Sequence, residues 1–176
     1  MKLFLITWGV MVIFFDYAPI ERTAPQDLYP DGALEALIAV ESCGHPLAMG
    51  GSMKGILQMS PIYLKDAQAS PFDAFLPYKA VAIFDKMVVR YNVRQEGEPE
   101  LAIPIFHKGG PGVHKRWRRR IRRGEHPLQA AVKASEDAGV KGMKSFLSKY
   151  QAARKGYPYW CGPSWRPFQI QRDPLI

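Results

Sequence analysis

The chain has 176 residues, of which 47% are hydrophobic and 23% charged. This composition is that of a globular domain and excludes a disordered or low-complexity chain. The formal net charge is +8, and residues 115–123 carry seven positive charges, which leaves +1 for the rest of the chain. The excess charge is therefore a local patch, and such a patch favours a polyanionic partner.

The N-terminal segment predicts export. Lys2 is followed by thirteen uncharged residues, 3–15, which is the pattern of a signal peptide with a charged start and an apolar middle. The stretch is shorter than the roughly twenty apolar residues of an untilted transmembrane helix. Prolines follow Ala18 and Ala24, so cleavage after either residue is disfavoured. We expect residues 1–18 to be a signal peptide or a retained membrane anchor, on a periplasmic, extracellular, membrane-tethered or virion-associated protein; the alternative is a buried N-terminal element of the domain.

The next part of the chain predicts a linker and then a helix. Residues 19–31 are rich in proline and aspartate, which is typical of a linker. Asp31 is placed as the N-cap of a helix that runs to about Ser42. On this helix Glu41 extends the apolar spacing of the preceding leucines and isoleucine, so its carboxyl is expected to be half covered. Burial favours the neutral carboxyl, which can donate a proton; the alternative is a solvated glutamate at a helix end.

The remaining elements are also mostly helical. The glycines and proline of residues 43–54 predict a loop or small hairpin. Further helices are predicted at 60–69, entered through Pro61, at 78–91, and at 99–106, where a glycine turn at 109–112 follows. Two more helices are predicted after Pro127 and Gly139.

The basic run is predicted to be one exposed helix face. Val113, Trp117 and Ile121 recur every four residues, which anchors one side of a helix at 113–123 and turns the cations outward. We expect teichoic acid, lipopolysaccharide or anionic lipid as partner; nucleic acid is less favoured, because no base-reading motif accompanies the arginines. The alternative is a solvated face without a partner. The candidate polyanion-binding residues are Lys115, Arg116, Arg118, Arg119, Arg120, Arg122 and Arg123.

Cysteine and histidine usage predicts at most one disulfide and no metal site. Cys43 and Cys161 can form one bridge in an oxidising compartment, or remain two free thiols. Neither has zinc-site spacing, and the four histidines are scattered, so we expect no metal and no cofactor. The tail, 159–176, begins in an aromatic-rich stretch that either stacks on sugars or covers apolar surface.

The order of several short motifs resembles the lysozyme-like superfamily, in particular the lytic transglycosylases and invertebrate-type lysozymes. The motifs are Val40-Glu41-Ser42, then Gly55, Gln58 and Tyr63, then His107-Lys108-Gly109-Gly110-Pro111. The resemblance implies a mainly α, lysozyme-like α+β domain over residues 32–158, with a small β-hairpin beside the catalytic helix. It also implies peptidoglycan as substrate and Glu41 as the catalytic acid. The residues implied to bind substrate are Ser42, Gln58, Tyr63, His107, Gly109 and Gly110.

Two departures from the family pattern bear on mechanism. Met49 stands where many relatives carry an aspartate, and Lys108 stands where they carry an asparagine. A thioether cannot activate water, which disfavours hydrolysis by two carboxylates unless Asp66, Asp73 or Glu35 replaces the missing group. The favoured prediction is a lytic transglycosylase that uses Glu41 as acid and then as base. The alternative is an inactive lysozyme-like protein that binds cell wall or anionic polymers, or serves in a virion.

Overall fold

The computed structural model describes residues 28, 30–93, 98–156 and 161. The prediction of a mainly α protein with a small hairpin is confirmed. None of the helices in this part of the chain is long and apolar enough to cross a bilayer. The elements are α1 (Ala33–Ser42), β1 (Met49–Gly50), β2 (Met53–Lys54), α2 (Pro61–Ala67), a 3-10 turn (Asp73–Phe75), α3 (Pro77–Arg90), α4 (Pro99–Ile121), α5 (Pro127–Glu136) and α6 (Met143–Arg154).

Some predictions lie outside the described residues. These are the signal peptide or anchor at 1–18, most of the linker, and the aromatic tail except Cys161. Leu28, within the predicted linker, is buried in the core. The hydrophobic core therefore includes at least one residue of the predicted linker.

Proline and capping residues set the helix starts. The first residue of four helices is a proline, whose fixed φ suits that position and whose missing N–H has no helical partner there. Ser60 caps α2, because its hydroxyl accepts a hydrogen bond from the Tyr63 N–H at 3.1 Å. The predicted Asp31 cap of α1 is wrong. Gly32 is the N-cap, since its carbonyl accepts the first helical bond, from the Ala36 N–H at 3.0 Å.

The core forms where α1 packs against α4 and α6. Leu34, Leu37 and Ile38 are at most 1% exposed, and the helix is apolar on nearly all sides. Trp117 and Tyr150 bring the second half of α4 and α6 into the same cluster. Each such side chain stabilises the fold by about 1.5–3 kcal/mol through burial. The position of α1 at the centre holds Glu41, its penultimate residue, at a fixed place beside the hairpin.

Helix α4 is divided where the sequence predicted a break. The glycine turn at 109–112 was expected to separate two helices, with the first ending near Phe106. The element from Pro99 to Ile121 consists of two helical segments that meet at a kink at Gly110, which leaves the helical region with φ 71° and ψ −177°. This combination is essentially restricted to glycine. The first half therefore extends past Phe106 and carries His107 and Lys108 on the helix.

Candidate functional site

Glu41 lies against a histidine from another helix. Its carboxylate Oε1 is 3.2 Å from Nε2 of His107, in the first half of α4. The side chains are 16% and 5% exposed, respectively. The glutamate thus retains access to solvent, whereas the imidazole is enclosed. The sequence identified both residues but did not predict that they would meet.

Aromatic rings enclose the imidazole of His107. The ring of Phe84 approaches edge-on at 5.6 Å between centroids, and the ring of Tyr63 approaches likewise at 6.2 Å. Nδ1 of His107 is buried and has no hydrogen-bond partner within the described part of the chain. Glu41 is therefore the polar group to which this imidazole is directed.

Tyr63 turns its hydroxyl into the protein. The oxygen is buried without a hydrogen-bond partner among the residues that the structure describes. Burial raises the pKa of this phenol strongly, and the nearby carboxylates of Asp85 and Asp66 raise it further. Tyr63 therefore stays neutral, and the residue as a whole is partly buried against the core. Its hydroxyl is not placed to bind a sugar, although the resemblance implied that Tyr63 binds substrate.

Ser42 and Gln58 use their polar groups to join α1, the hairpin and the loop after it. The Ser42 hydroxyl donates to the Ile56 carbonyl at 2.8 Å and accepts from the Gly44 N–H at 3.2 Å. The Gln58 amide donates to the carbonyls of Ala48 and Gly55, both at 2.9 Å. These two predicted substrate ligands therefore shape the wall beside Glu41 through contacts within the protein.

The glycine of the Gly55-x-x-Gln58 motif has a steric basis. Gly55 has φ 74°, and a Cβ at this position would lie 1.6 Å from the Ala74 carbonyl oxygen. No other residue fits without displacing the loop before α3. The motif thus fixes backbone geometry beside the candidate acid.

The suggested second carboxylates have partners elsewhere. Asp66 accepts a 2.5 Å hydrogen bond from the Tyr91 hydroxyl and lies 3.2 Å from an Arg90 nitrogen. Asp73 pairs with Lys79 at 2.7 Å. Glu35 is in the first turn of α1, at the end opposite Glu41. None of these contacts involves Glu41, which favours a reaction with one carboxylate.

Asp85 is a buried carboxylate that the sequence analysis missed. It is 6% exposed on α3 and its charge acts on the Tyr63 phenol. The signal was present in the sequence. Asp85 interrupts the apolar spacing formed by Val81, Phe84 and Val88, and an acid inside such a stripe is expected to be buried.

The glycines after His107 act through the backbone. A Cβ on Gly109 would lie 2.5–2.8 Å from side-chain atoms of Val113, and Gly110 forms the kink. Lys108 points to α6, where its Nζ lies 5.4 Å from the centre of the Phe146 ring. Lys108 thus contacts another helix.

A disulfide joins Cys43 to Cys161, with their Cα atoms 5.4 Å apart. Cys43 is the C-cap of α1, two residues after Glu41, and has a left-handed backbone. The bridge therefore ties a residue 118 positions further along the chain to the end of the helix that presents the acid.

The seven basic residues divide into two groups. Val113 and Trp117 are buried as predicted. Arg120 binds Glu125 at 2.9 Å and Asp137 at 2.8 Å, so its charge joins α4 to the end of α5. Arg118 is half-buried. The remaining five form an exposed surface, hereafter the basic face: Lys115, Arg116, Arg119, Arg122 and Arg123.

Two grooves of the described residues lie away from Glu41. One, of about 550 Å³, runs between α5 and α6 over Leu128, Val132 and Leu147. The other, of about 430 Å³, adjoins it near Tyr150 and Arg154. No group of three or more potential metal ligands occurs within the described ranges. Glu41 lines neither of these two grooves, and what distinguishes it is its contact with His107.

No protein-family model, curated protein or solved structure matches this chain. The motif resemblance therefore stays a prediction.

Proposed function

We propose that this protein cleaves peptidoglycan glycan strands in the manner of a lytic transglycosylase, with a lysozyme-like arrangement around Glu41. The observation that carries the proposal is the carboxyl of Glu41, 16% exposed at the end of α1 and in contact with a buried imidazole. Such a group reaches a substrate at the surface while most of its surroundings are protein. General acid–base catalysis requires this combination of access and fixed geometry.

The reaction needs one carboxyl group. Glu41 donates its proton to the oxygen of the bond between N-acetylmuramic acid and N-acetylglucosamine, and the C1–O bond breaks. The N-acetyl group of the substrate shields the cation at C1. The Glu41 carboxylate then takes the proton of the muramic C6 hydroxyl, whose oxygen bonds to C1. The products are a 1,6-anhydro sugar and a free chain end, and no water is consumed.

The hairpin supports this proposal as a sugar-binding wall. Met49 and Met53 are 65% and 39% exposed, and Leu47 just before the strands is 51% exposed. Apolar side chains at a polar rim are typical of sites that pack against ligand faces. Gln58 fastens the two ends of the hairpin to each other through Ala48 and Gly55, and Ser42 of α1 holds the following loop through the Ile56 carbonyl.

The test is product analysis on purified peptidoglycan. We expect wild type to release anhydro-muropeptides, and Glu41→Gln to reduce the rate by about a thousandfold or more, because the amide cannot exchange the proton. Glu136→Gln removes an exposed carboxylate on α5 and is the matched control, with wild-type rate expected. Products with ordinary reducing ends would show that the enzyme hydrolyses the bond and is not a transglycosylase. Absence of any product from wild type would refute the enzyme.

The basic face favours a second candidate function, a module that binds anionic polymer of the cell envelope. Its five cations are exposed, three on the second half of α4 and two just after its end, and Met49 carries no charge. Cosedimentation with walls that contain or lack teichoic acid tests it. We expect binding to the first alone, weakening with salt. Equal binding to both wall preparations would exclude this function.

A further inference from the structure

We propose that His107 is the positioning residue of Glu41: its neutral imidazole donates the Nε2 hydrogen to Oε1, which leaves Oε2 to exchange protons with the substrate. This inference rests on the proposed function in its chemical role, but the hydrogen bond itself is a property of the resting protein. It adds to the single-carboxylate reaction a group that fixes which oxygen reacts.

The contacts of the imidazole select one protonation state. Nε2 faces a carboxylate oxygen at 3.2 Å, and Nδ1 is buried without a hydrogen-bond partner in the described residues. A hydrogen on Nδ1 would be a buried donor with no acceptor, and an unprotonated Nε2 would face the carboxylate with its lone pair. The doubly protonated ring would likewise leave an unmet Nδ1–H between the rings of Phe84 and Tyr63. The neutral form with hydrogen on Nε2 avoids these costs.

The surroundings make His107 a rigid support. Its side chain is 5% exposed, and Phe84, which is fully buried, contacts it from α3. The backbone of α4 and the aromatic rings therefore limit its rotation. A donor held in this way orders the glutamate side chain, which otherwise has three rotatable bonds. Groups that orient a catalytic side chain act on the rate of the chemical step more than on substrate affinity.

For catalysis, this hydrogen bond would assign a separate role to each of the two carboxylate oxygens of Glu41. When Glu41 has given its proton to the leaving oxygen, the Nε2–H bond stabilises the resulting carboxylate on Oε1. Oε2 then faces the C6 hydroxyl as base. His107 neither gains nor loses a proton in this cycle and does not touch the sugar.

Ring-nitrogen NMR of the ¹⁵N-labelled protein tests the hydrogen bond without any turnover. We expect the His107 spectrum of wild type to show hydrogen on Nε2 and a bare Nδ1. In Glu41→Ala the acceptor is gone, and a mixture of the two neutral tautomers is expected. A wild-type spectrum with hydrogen on Nδ1, or on both nitrogens, would overturn the inference whether or not the protein cleaves glycan.

Kinetics on soluble, uncrosslinked glycan strands test the role. His107→Phe keeps a ring of similar size but removes the donor, so kcat should fall roughly 10- to 100-fold while KM changes little. His107→Gln places an amide N–H near the level of Nε2, and we expect kcat within about fivefold of wild type. Unchanged kcat in a folded His107→Phe protein would reject the positioning role. Inactive wild type with the expected NMR spectrum would reject only the proposed function.

Discussion

The two halves of α4 treat their polar side chains in opposite ways. Before Gly110, His107 is enclosed by aromatic rings and meets Glu41. After Gly110, three cations of the basic face lie exposed on the helix, and the other two follow its end. The comparison teaches that burial decides what a charged or polar group can do. An enclosed group has one partner and a fixed geometry, whereas an exposed cation acts mainly through the summed field of its neighbours.

Among these tests, we expect the largest change in the free energy of unfolding for His114, because it is a buried titratable group in the half of α4 that carries the basic face. It is 3% exposed, and burial lowers its pKa to about 4, with the charge of Arg118 acting in the same direction. The unfolded chain, with a histidine pKa near 6.5, therefore binds more protons between pH 6.5 and 4. Folding stability is then lost as the pH falls through this range.

The measurement is urea unfolding at pH 7 and pH 4.5. The histidine contribution to the wild-type loss should be roughly 2–3 kcal/mol. His114→Gln removes the titrating group, so its own loss between the two pH values should be smaller by that amount, although it is less stable at pH 7. If wild type and variant lose equal stability on acidification, His114 is not the buried titrating group described here.

Gly110 tests the boundary between the halves. Its φ of 71° and ψ of −177° suit glycine alone, so Gly110→Ala should lower the free energy of unfolding by roughly 1–3 kcal/mol. Gly112→Ala is the matched control. A Cβ there meets only an Arg116 nitrogen at an ordinary 3.6 Å, and helix propensity favours alanine. Urea unfolding at pH 7 compares them, and equal stability of the two variants would contradict the strain at the kink.

We expect the smallest changes in stability for the neighbouring residues Arg119 and Arg120, of which the first is exposed and the second is ion-paired. Arg120→Gln removes the ion pairs to Glu125 and Asp137 and should lower the free energy of unfolding by up to about 1 kcal/mol. Arg119→Gln should change stability by less than about 0.5 kcal/mol.

Binding to teichoic acid at several salt concentrations should show the reverse order. Arg119→Gln should reduce the slope of log affinity against log salt by nearly one unit, because one phosphate contact is lost. A larger loss of binding in Arg120→Gln than in Arg119→Gln would show that the ion pairs of Arg120 do not keep it out of the polyanion-binding surface.

Much of the helical framework was predictable from neighbouring residues. The spacing of Val81, Phe84 and Val88 predicted α3, and all three are buried. Pro61 marked the start of α2, and the glycines of 43–54 marked the hairpin. These predictions succeeded because periodicity and backbone preferences act over a few residues. The glycine turn at 109–112 marked the kink of α4, which lies at Gly110. The start of α1 was mispredicted, because neighbouring residues could serve as the cap and Gly32, not Asp31, does.

The sequence by itself determined the helical class, the basic run and a glutamate at the end of an apolar helix. Only the tertiary structure decided that His107 contacts Glu41. It also decided that Ser42 and Gln58 form hydrogen bonds within the protein, and that Arg120 forms ion pairs with Glu125 and Asp137 and is not part of the basic face. The physical reason is the range of the interactions. Spacing along the chain shows which face of a helix is apolar, but a hydrogen-bond partner from a distant segment is fixed only when the helices pack.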